Sequence, residues 1–371
     1  MHHSITSITR AADVLSAVWS RGDRTDLPYL WLRDNCGCSE CRVAQTTEKR
    51  FHLFQVPSDL RPLKVSIEHA GSEGEAISIA WPDGHRTRYR SSEIRGFLGR
   101  PRFELRYWDG GFQPRRFDYQ RFLASDRLAA ELIEEFLRTG VCVLVNAPTD
   151  PDSSEQLAAR LGPVREVVFE RIHNVVVDPQ GYSIAHTGLA VAPHNDFTSY
   201  SWPPNVQALH MLVNECEGGE SCIVDGFGVL DELRSDCPDE FDVLCDVPVP
   251  FRIFSEEYEC CAANPIVEVD SDGEVRMLRF NTQQMQVIPL SEPRLTEFYA
   301  AYHDLSGRIN AASAQASIRL EGGQILLCAG HRVLHGRTAL GSNGRRHLQD
   351  TYFEHDNVRN HLRWLRLRDR I

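Results

Sequence analysis

Two histidines and one aspartate offer the most specific chemistry in this sequence. His194 and Asp196 stand two apart in Pro193-His194-Asn195-Asp196-Phe197, so an extended strand sends both side chains from one face. Far downstream, His335 lies in Gly330-His331-Arg332-Val333-Leu334-His335-Gly336-Arg337, after the apolar run Ile325-Leu326-Leu327-Cys328. Two imidazoles and one carboxylate form the facial triad that holds non-haem Fe(II) and leaves one octahedral face open. An open face lets a bidentate cosubstrate and O2 share the metal. Arg345-Arg346-His347-Leu348 follows soon after the distal histidine, and an arginine there suits a dicarboxylate cosubstrate.

A second set of metal-ligating residues sits near the start. Cys36, Cys38 and Cys41 bring three thiols into six residues, spaced so that the sulfurs can converge on a tetrahedral centre. A fourth ligand is best supplied by His85, in the Pro-Asp-Gly turn of Trp81-Pro82-Asp83-Gly84-His85. Four protein ligands leave no position for substrate, so a zinc ion here is expected to be structural.

The elements that must position these groups follow from patterning. Residues 10–21 form a short opening element, helix or strand. Residues 51–56, 63–67 and 76–80 read as strands of a small, mostly antiparallel β domain. This gives an N-terminal zinc-binding domain over residues 1–98, a Gly-, Pro- and Arg-rich linker over 99–118, and a catalytic domain over 119–371. In the catalytic part, Leu128, Leu132, Phe136 and Leu137 recur at helical spacing over Asp126–Arg138, closed by Gly140. Val141–Val145 is a short buried strand, and Ser153-Ser154-Glu155-Gln156 carries capping-box chemistry for a further helix. Val206–Val213 is a strand, and Gly218–Gly226 is a tight turn into another. Pro293–Ile309 is a helix burying Leu295, Phe298, Tyr299, Tyr302, Leu305 and Ile309. Glu321-Gly322-Gly323 turns the chain into the strand that delivers His335. Short strands, few helices and ligands from distant strands predict a mainly β fold, a double-stranded β-helix (jelly roll) with flanking helices.

Composition narrows the partners. A net charge of −12 argues against nucleic-acid binding, which needs basic surface to release counterions. No run of about 18 apolar residues could span a membrane, and the N-terminus lacks the features of a secretory signal. Eleven cysteines without an export signal point to a reducing cytoplasm, which also keeps iron ferrous.

Taken in order, the Cys-x-Cys-x2-Cys loop, Trp81–His85, His194-x-Asp196, Pro203-Pro204-Asn205-Val206-Gln207, Gly218–Gly226, Leu334–Arg337 and Arg346-His347-Leu348 form an ordered set from about residue 27 to the end. It resembles the γ-butyrobetaine and trimethyllysine hydroxylases, within the taurine-dioxygenase-like Fe(II)/2-oxoglutarate oxygenases. The resemblance implies that His194, Asp196 and His335 bind iron, that Arg346 grips 2-oxoglutarate with Leu209 beside it, and that Cys36, Cys38, Cys41 and His85 hold zinc. It also implies hydroxylation coupled to decarboxylation of 2-oxoglutarate, O2 as cosubstrate, and a homodimer.

The same resemblance places a cation–π cage for a trimethylammonium head at Phe169, His173, His186 and Tyr352, with Ser183 nearby. Tyr182, Phe197, Tyr200 and Trp202 are close enough in sequence to rebuild part of it. Asn281 keeps an asparagine for the anionic tail, and Arg279 adds a cation where a neutral amide is expected. That cation favours a phosphonate tail, as in 2-(trimethylammonio)ethylphosphonate, over γ-butyrobetaine. Two other classes compete: a non-catalytic metal-binding scaffold, and a hydrolase whose metal activates water. A scaffold needs neither the whole triad nor Arg346, and a hydrolase does not consume 2-oxoglutarate.

Overall fold

The computed structural model describes residues 4–69, 75–98, 103–178, 184–255, 257–289 and 291–368. Two compact units divide at Arg102/Phe103.

The first unit opens with an antiparallel sheet of β1 (Ile5–Arg10), β2 (Val14–Trp19) and β3 (Arg24–Pro28), so the opening segment is a strand pair. Helix α1 (Tyr29–Asp34) leads into the cysteine loop. A second antiparallel sheet follows: β4 (Lys64–His69), β5 (Glu75–Ala80) and β6 (Arg86–Arg90), then α2 (Ser91–Leu98). Trp19, Trp81, Tyr89 and Ile77 pack into one core shared by both sheets. The strand expected over residues 51–56 is absent. Leu53–Gln55 instead form a single 3-10 turn in which the backbone N–H of His52 donates to Gln55 Oε1 at 2.9 Å. Phe54 is 86% exposed, so this apolar run has no sheet face to bury.

In the second unit β7 (Arg116–Asp118) precedes α3 (Tyr119–Ala124), α4 (Asp126–Thr139), β8 (Val141–Val145), α5 (Ala158–Leu161), β9 (His173–Val176), β10 (Val191–His194), β11 (Val206–Asn214) and β12 (Ser221–Asp225). Then come α6 (Gly226–Asp236), α7 (Pro238–Asp246), β13 (Val249–Phe254), β14 (Glu259–Asn264), β15 (Val267–Val269), β16 (Val275–Leu278) and α8 (Arg294–Asn310). The chain ends with β17 (Ala316–Ile318), β18 (Gln324–Cys328), β19 (Val333–Arg337), β20 (Arg346–Phe353) and α9 (His355–Arg368).

Apart from the hairpins β13-β14 and β15-β16, the second unit has two main sheets, the larger running β7-β8-β18-β11-β20-β9 and the smaller β10-β19-β12-β17. Their facing surfaces share one core: Val143, Leu209, Leu326 and Leu348 from the first, Ile223, Ala316 and Val333 from the second. This is the expected jelly roll. Helix α4 forms as its pattern requires. Ser125 caps its N-terminus, Gly140 ends it at φ 79°, and Leu132, Ile133 and Phe136 are buried against the larger sheet. Among the described residues no helix is long and apolar enough to cross a membrane.

Three boundary expectations need correction. Residues 103–118, placed in the linker, belong to the second unit: β7 pairs parallel to β8, and Trp108 Nε1 donates to Thr139 O at 2.8 Å. Ser153 does not cap a helix. Its hydroxyl donates backwards to Pro148 O and Asp150 O, and the segment is a 3-10 turn, Ser153–Leu157, before the four-residue α5. Finally, β18 does not itself deliver His335. The chain leaves the larger sheet after Cys328, turns, and enters the smaller sheet as β19, with His335 at its centre. In α8, Phe298, Leu305 and Ile309 are buried as expected, whereas Tyr299 is exposed.

Candidate active site

His194 closes β10 and faces His335 across the β10–β19 pair, as direct register partners with ring centroids 4.5 Å apart. Asp196 lies just beyond the strand end. Asn195, between them, is pinned: its backbone N–H donates to Phe280 O at 2.9 Å and its side-chain amide to Gly330 O at 2.8 Å. His194 Nε2 is then 3.2 Å from Asp196 Oδ1, and His335 Nε2 is 3.8 Å from Oδ2. Donor atoms of the three residues all lie within 4.8 Å of one another, as ligands on one face of a metal must.

The surroundings orient these ligands and bias their charge: burial disfavours a charged His194, but the adjacent Asp196 carboxylate outweighs it and raises the pKa. His194 Nδ1 lies 2.9 Å from Ala192 O, which fixes the proton there and frees Nε2. Burial pushes the His335 pKa down to about 4, so the imidazole is neutral. Burial opposes ionisation of Asp196, but the two histidines and the Tyr352 hydroxyl outweigh it and hold the carboxyl below its usual range. Gln207 Nε2 donates to Asp196 Oδ2 at 2.6 Å, and Tyr352 OH lies 2.8 Å from the same oxygen. Oδ1 is left towards His194.

A cavity open to solvent contains the triad. Strand β20 lines it with every second residue, Arg346, Leu348, Asp350 and Tyr352, as a period-2 strand must. Leu209 and Ser221 lie on the same walls. Arg346 pairs with no carboxylate among the described residues, and its Nε is buried without a partner. Burial, with the nearby Arg337, lowers its pKa to about 10, still a cation at neutral pH. A buried guanidinium with unused donors fits a dicarboxylate. Arg337 also lines the cavity, but its donors are taken by backbone carbonyls of Ala185, Thr187, Leu189 and Thr338.

Phe169, His173, Phe197 and Tyr352 give the cavity an aromatic wall, with Phe169 and Phe197 centroids 5.2 Å apart and Phe197 and Tyr352 5.3 Å apart. His186 is outside it, packed edge-on to His173 at 5.5 Å. Tyr200 sits behind Phe197 and accepts from Val168 N, while Trp202 packs on His331. Tyr182 and Ser183 lie outside the described residues.

Asn281, Gln283 and Gln284 bring amides to the cavity. Arg279 does not reach it. Its side chain is 1% exposed, Nη1 pairs with Glu268, and Nη2 donates to Ser201 O at 3.1 Å. The tail contact expected from Arg279 is therefore absent, because Glu268 already uses that charge.

The sequence reading gave no role to Gln207, which bonds Asp196 from outside the cavity lining, nor to the lining residues Asp350, Gln283 and Gln284. Gln207 was visible only as the end of a motif, and Asp350 only as an alternate position between Arg346 and Tyr352 on one strand. Asp350 is 4% exposed, and burial together with the charge on Asp196 raises its pKa well above the usual carboxylate range.

In the N-terminal unit, Cys36, Cys38 and Cys41 Sγ lie 3.3, 3.6 and 3.5 Å from His85 Nε2. Tetrahedral zinc with bonds of roughly 2.3 Å to sulfur and 2.05 Å to nitrogen places the two about 3.6 Å apart. Arg33 Nη1 donates to Cys41 Sγ at 3.4 Å, and His85 Nδ1 is 3.3 Å from Glu40.

Residues 104–352 match the taurine catabolism dioxygenase TauD, TfdA family. The chain belongs to that family. Its residues 6–93 also match the N-terminal region of γ-butyrobetaine hydroxylase-like proteins. This TauD-family chain is 30% identical to γ-butyrobetaine dioxygenase of Pseudomonas sp. (strain AK-1), over 95% of this chain and 94% of that one. It is 28% identical to trimethyllysine dioxygenase of Neurospora crassa, over 90% and 79%. Among solved structures, the non-haem iron oxygenase OrfP with Fe, succinate and a dihydroxyarginine superposes with TM-score 0.50 at 16% identity, covering 63% of this chain and 82% of OrfP, which supports the fold. The chain is thus an Fe(II)- and 2-oxoglutarate-dependent oxygenase, and His194, Asp196, His335 and Arg346 fit those two groups.

Proposed function

We propose that this oxygenase hydroxylates a small trimethylammonium compound with a carboxylate tail, of which γ-butyrobetaine is the first candidate. The observation that carries this reading is one cavity in which the triad's open side meets an aromatic wall and a set of amides. Phe169, Phe197 and Tyr352 present ring faces or edges suited to a desolvated ammonium. Gln283 and Gln284, with the one Asn281 amide hydrogen not given to Asn195 O, can donate to a monoanionic tail without a further cation. The relatives named for γ-butyrobetaine and trimethyllysine support the same head group.

In this reading Arg346 binds the distal carboxylate of 2-oxoglutarate, and Leu209 and Leu348 keep water from it. Iron, when bound, supplies O2 activation coupled to decarboxylation of the cosubstrate. Gln207 and Tyr352 keep Asp196 oriented, and Asn281 fixes the tail so that one C–H bond faces the metal. We further propose that Cys36, Cys38, Cys41 and His85 hold a structural zinc.

A phosphonate tail is the second reading. It requires Arg279 to leave Glu268, since a dianion buried among amides alone is poorly compensated. Succinate release measured over trimethylammonium compounds with carboxylate, phosphonate and sulfonate tails tests both. The carboxylate compound is expected to give the highest kcat/KM, and no coupled turnover with any of them would reject the proposal.

A further inference from the structure

We infer that Asp350 is a specificity-determining residue, the counter-charge for the ammonium head of the substrate. The inference rests on the head-group reading above and adds a formal charge to what rings alone would recognise.

Asp350 faces the cavity from β20, between Leu348 and Tyr352. In the β9–β20 pair it is the direct register partner of His173, whose ring stacks on Phe169 at 4.8 Å. Directly opposed residues hold their Cβ atoms roughly 5 Å apart, so the carboxyl stands beside the aromatic wall. Its Oδ2 is shared by Gln207 Nε2, at 2.8 Å, and the Tyr352 hydroxyl. Its Oδ1 has no hydrogen-bond partner among the described residues, and no Arg, Lys or His forms an ion pair with it. Both cavity arginines are directed elsewhere: Arg337 to carbonyls, Arg346 along the cosubstrate wall.

Without a bound cation, burial and the charge on Asp196 favour the neutral acid; an ammonium ion seated beside it favours the carboxylate, so the substrate head supplies the counter-charge that no neighbouring side chain does. A trimethylammonium group has no N–H to donate, so hydrogen bonding is not the required link. Its charge acts through space, and attraction at a few ångströms is far stronger in a buried cavity than in water. The placement beside Phe169 and His173 therefore gives the head group both a π wall and an anion. The three polar neighbours, Gln207, Tyr352 and Asp196, supply no positive charge of their own.

The test is binding, measured without oxygen by calorimetry on the protein loaded with iron and 2-oxoglutarate. Choline and its neutral isostere 3,3-dimethyl-1-butanol are the two probes. Wild type is expected to prefer choline by about tenfold or more, and Asp350→Asn to lose about tenfold of that preference while still binding the neutral probe. Asn keeps the shape and an acceptor for Gln207, and Asp350→Ser serves with the same probes should Asp350→Asn not fold. An unchanged preference, or equal weakening of both probes, overturns the assignment of Asp350 and leaves the head-group reading standing. No preference in wild type overturns both.

Discussion

Gln207 holds the metal-facing Asp196 from behind: its side-chain nitrogen lies 2.6 Å from Oδ2 while Oδ1 stays 3.2 Å from His194 Nε2. One carboxylate oxygen is thereby committed to the protein and the other to the metal side. Gln207→Leu keeps the volume and removes the donor. Weakening of Fe(II) binding by about 10–100-fold is expected, in line with the loss of an outer-shell hydrogen bond. Anaerobic metal titration measures it, and an unchanged affinity would show that Tyr352 alone orients Asp196.

Arg346 is expected to dominate cosubstrate affinity. Truncation to Ala leaves a buried carboxylate without its charged partner, a loss of about 3–5 kcal/mol. The apparent KM for 2-oxoglutarate should rise at least a hundredfold. A rise of two-fold or less would transfer the contact to Arg337, the other guanidinium on the cavity wall.

The thiol–imidazole distances in the cysteine loop predict a metal that stabilises rather than reacts. Cys38→Ser should lower zinc content and Tm while leaving the iron ligands untouched, because metal binding and folding are coupled in such loops. Elemental analysis of protein purified without chelator decides the matter. Absence of zinc from wild type would reject the site.

Much of this was legible in the sequence because the informative groups are local. The cysteine loop with the His85 turn, and the short spacing of His194 and Asp196, need only a strand or a turn to bring their members close. The helix over residues 126–139 was equally readable, since its apolar spacing and its terminal glycine agree. The contribution of Asp350 was not, because it depends on which face of β20 meets the cavity and on the pairing of that strand with β9. Arg279 misled for a related reason. Its neighbour Asn281 lines the cavity, but the β16 strand ends at Leu278, so period-2 alternation no longer governs the residues after it. The run over 51–56 shows the opposite failure: apolar composition without a sheet to receive it.

Acid stability should carry the mark of three histidines, His210 buried and His331 and His355 half-buried. Burial lowers the pKa of His210 and His331 to about 4 and that of His355 to about 3. Each lies below the unfolded value of roughly 6.5, so the unfolded chain binds the proton first. Stability is full above about pH 6.5 and falls as the pH drops, by up to about 1.4 kcal/mol per pH unit for each proton. Urea unfolding between pH 7 and 5 is expected to show this slope, reduced in His355→Phe. A flat profile above pH 5 would mean that these histidines take up protons in the fold as readily as in the unfolded chain.

The last prediction concerns the tail and separates the two substrate readings. Arg279 is among the largest fully buried side chains, and its partner Glu268 lies on β15, which pairs with the β16 strand leading to Arg279. Removing the cation leaves Glu268 without its ion-pair partner and Ser201 O without its donor. Arg279→Met is therefore expected to destabilise the protein by about 1–3 kcal/mol, less than for a fully buried pair because the Glu268 side chain is 25% exposed and water can solvate it. Since the guanidinium does not line the cavity, the ratio of kcat/KM for γ-butyrobetaine to that for its phosphonate counterpart should stay within about two-fold of wild type. The double variant Arg279→Met with Glu268→Leu removes the stranded charge and should recover part of the stability without moving that ratio. A selective loss of phosphonate turnover, with carboxylate turnover intact, would instead place Arg279 at the substrate tail and restore the phosphonate reading.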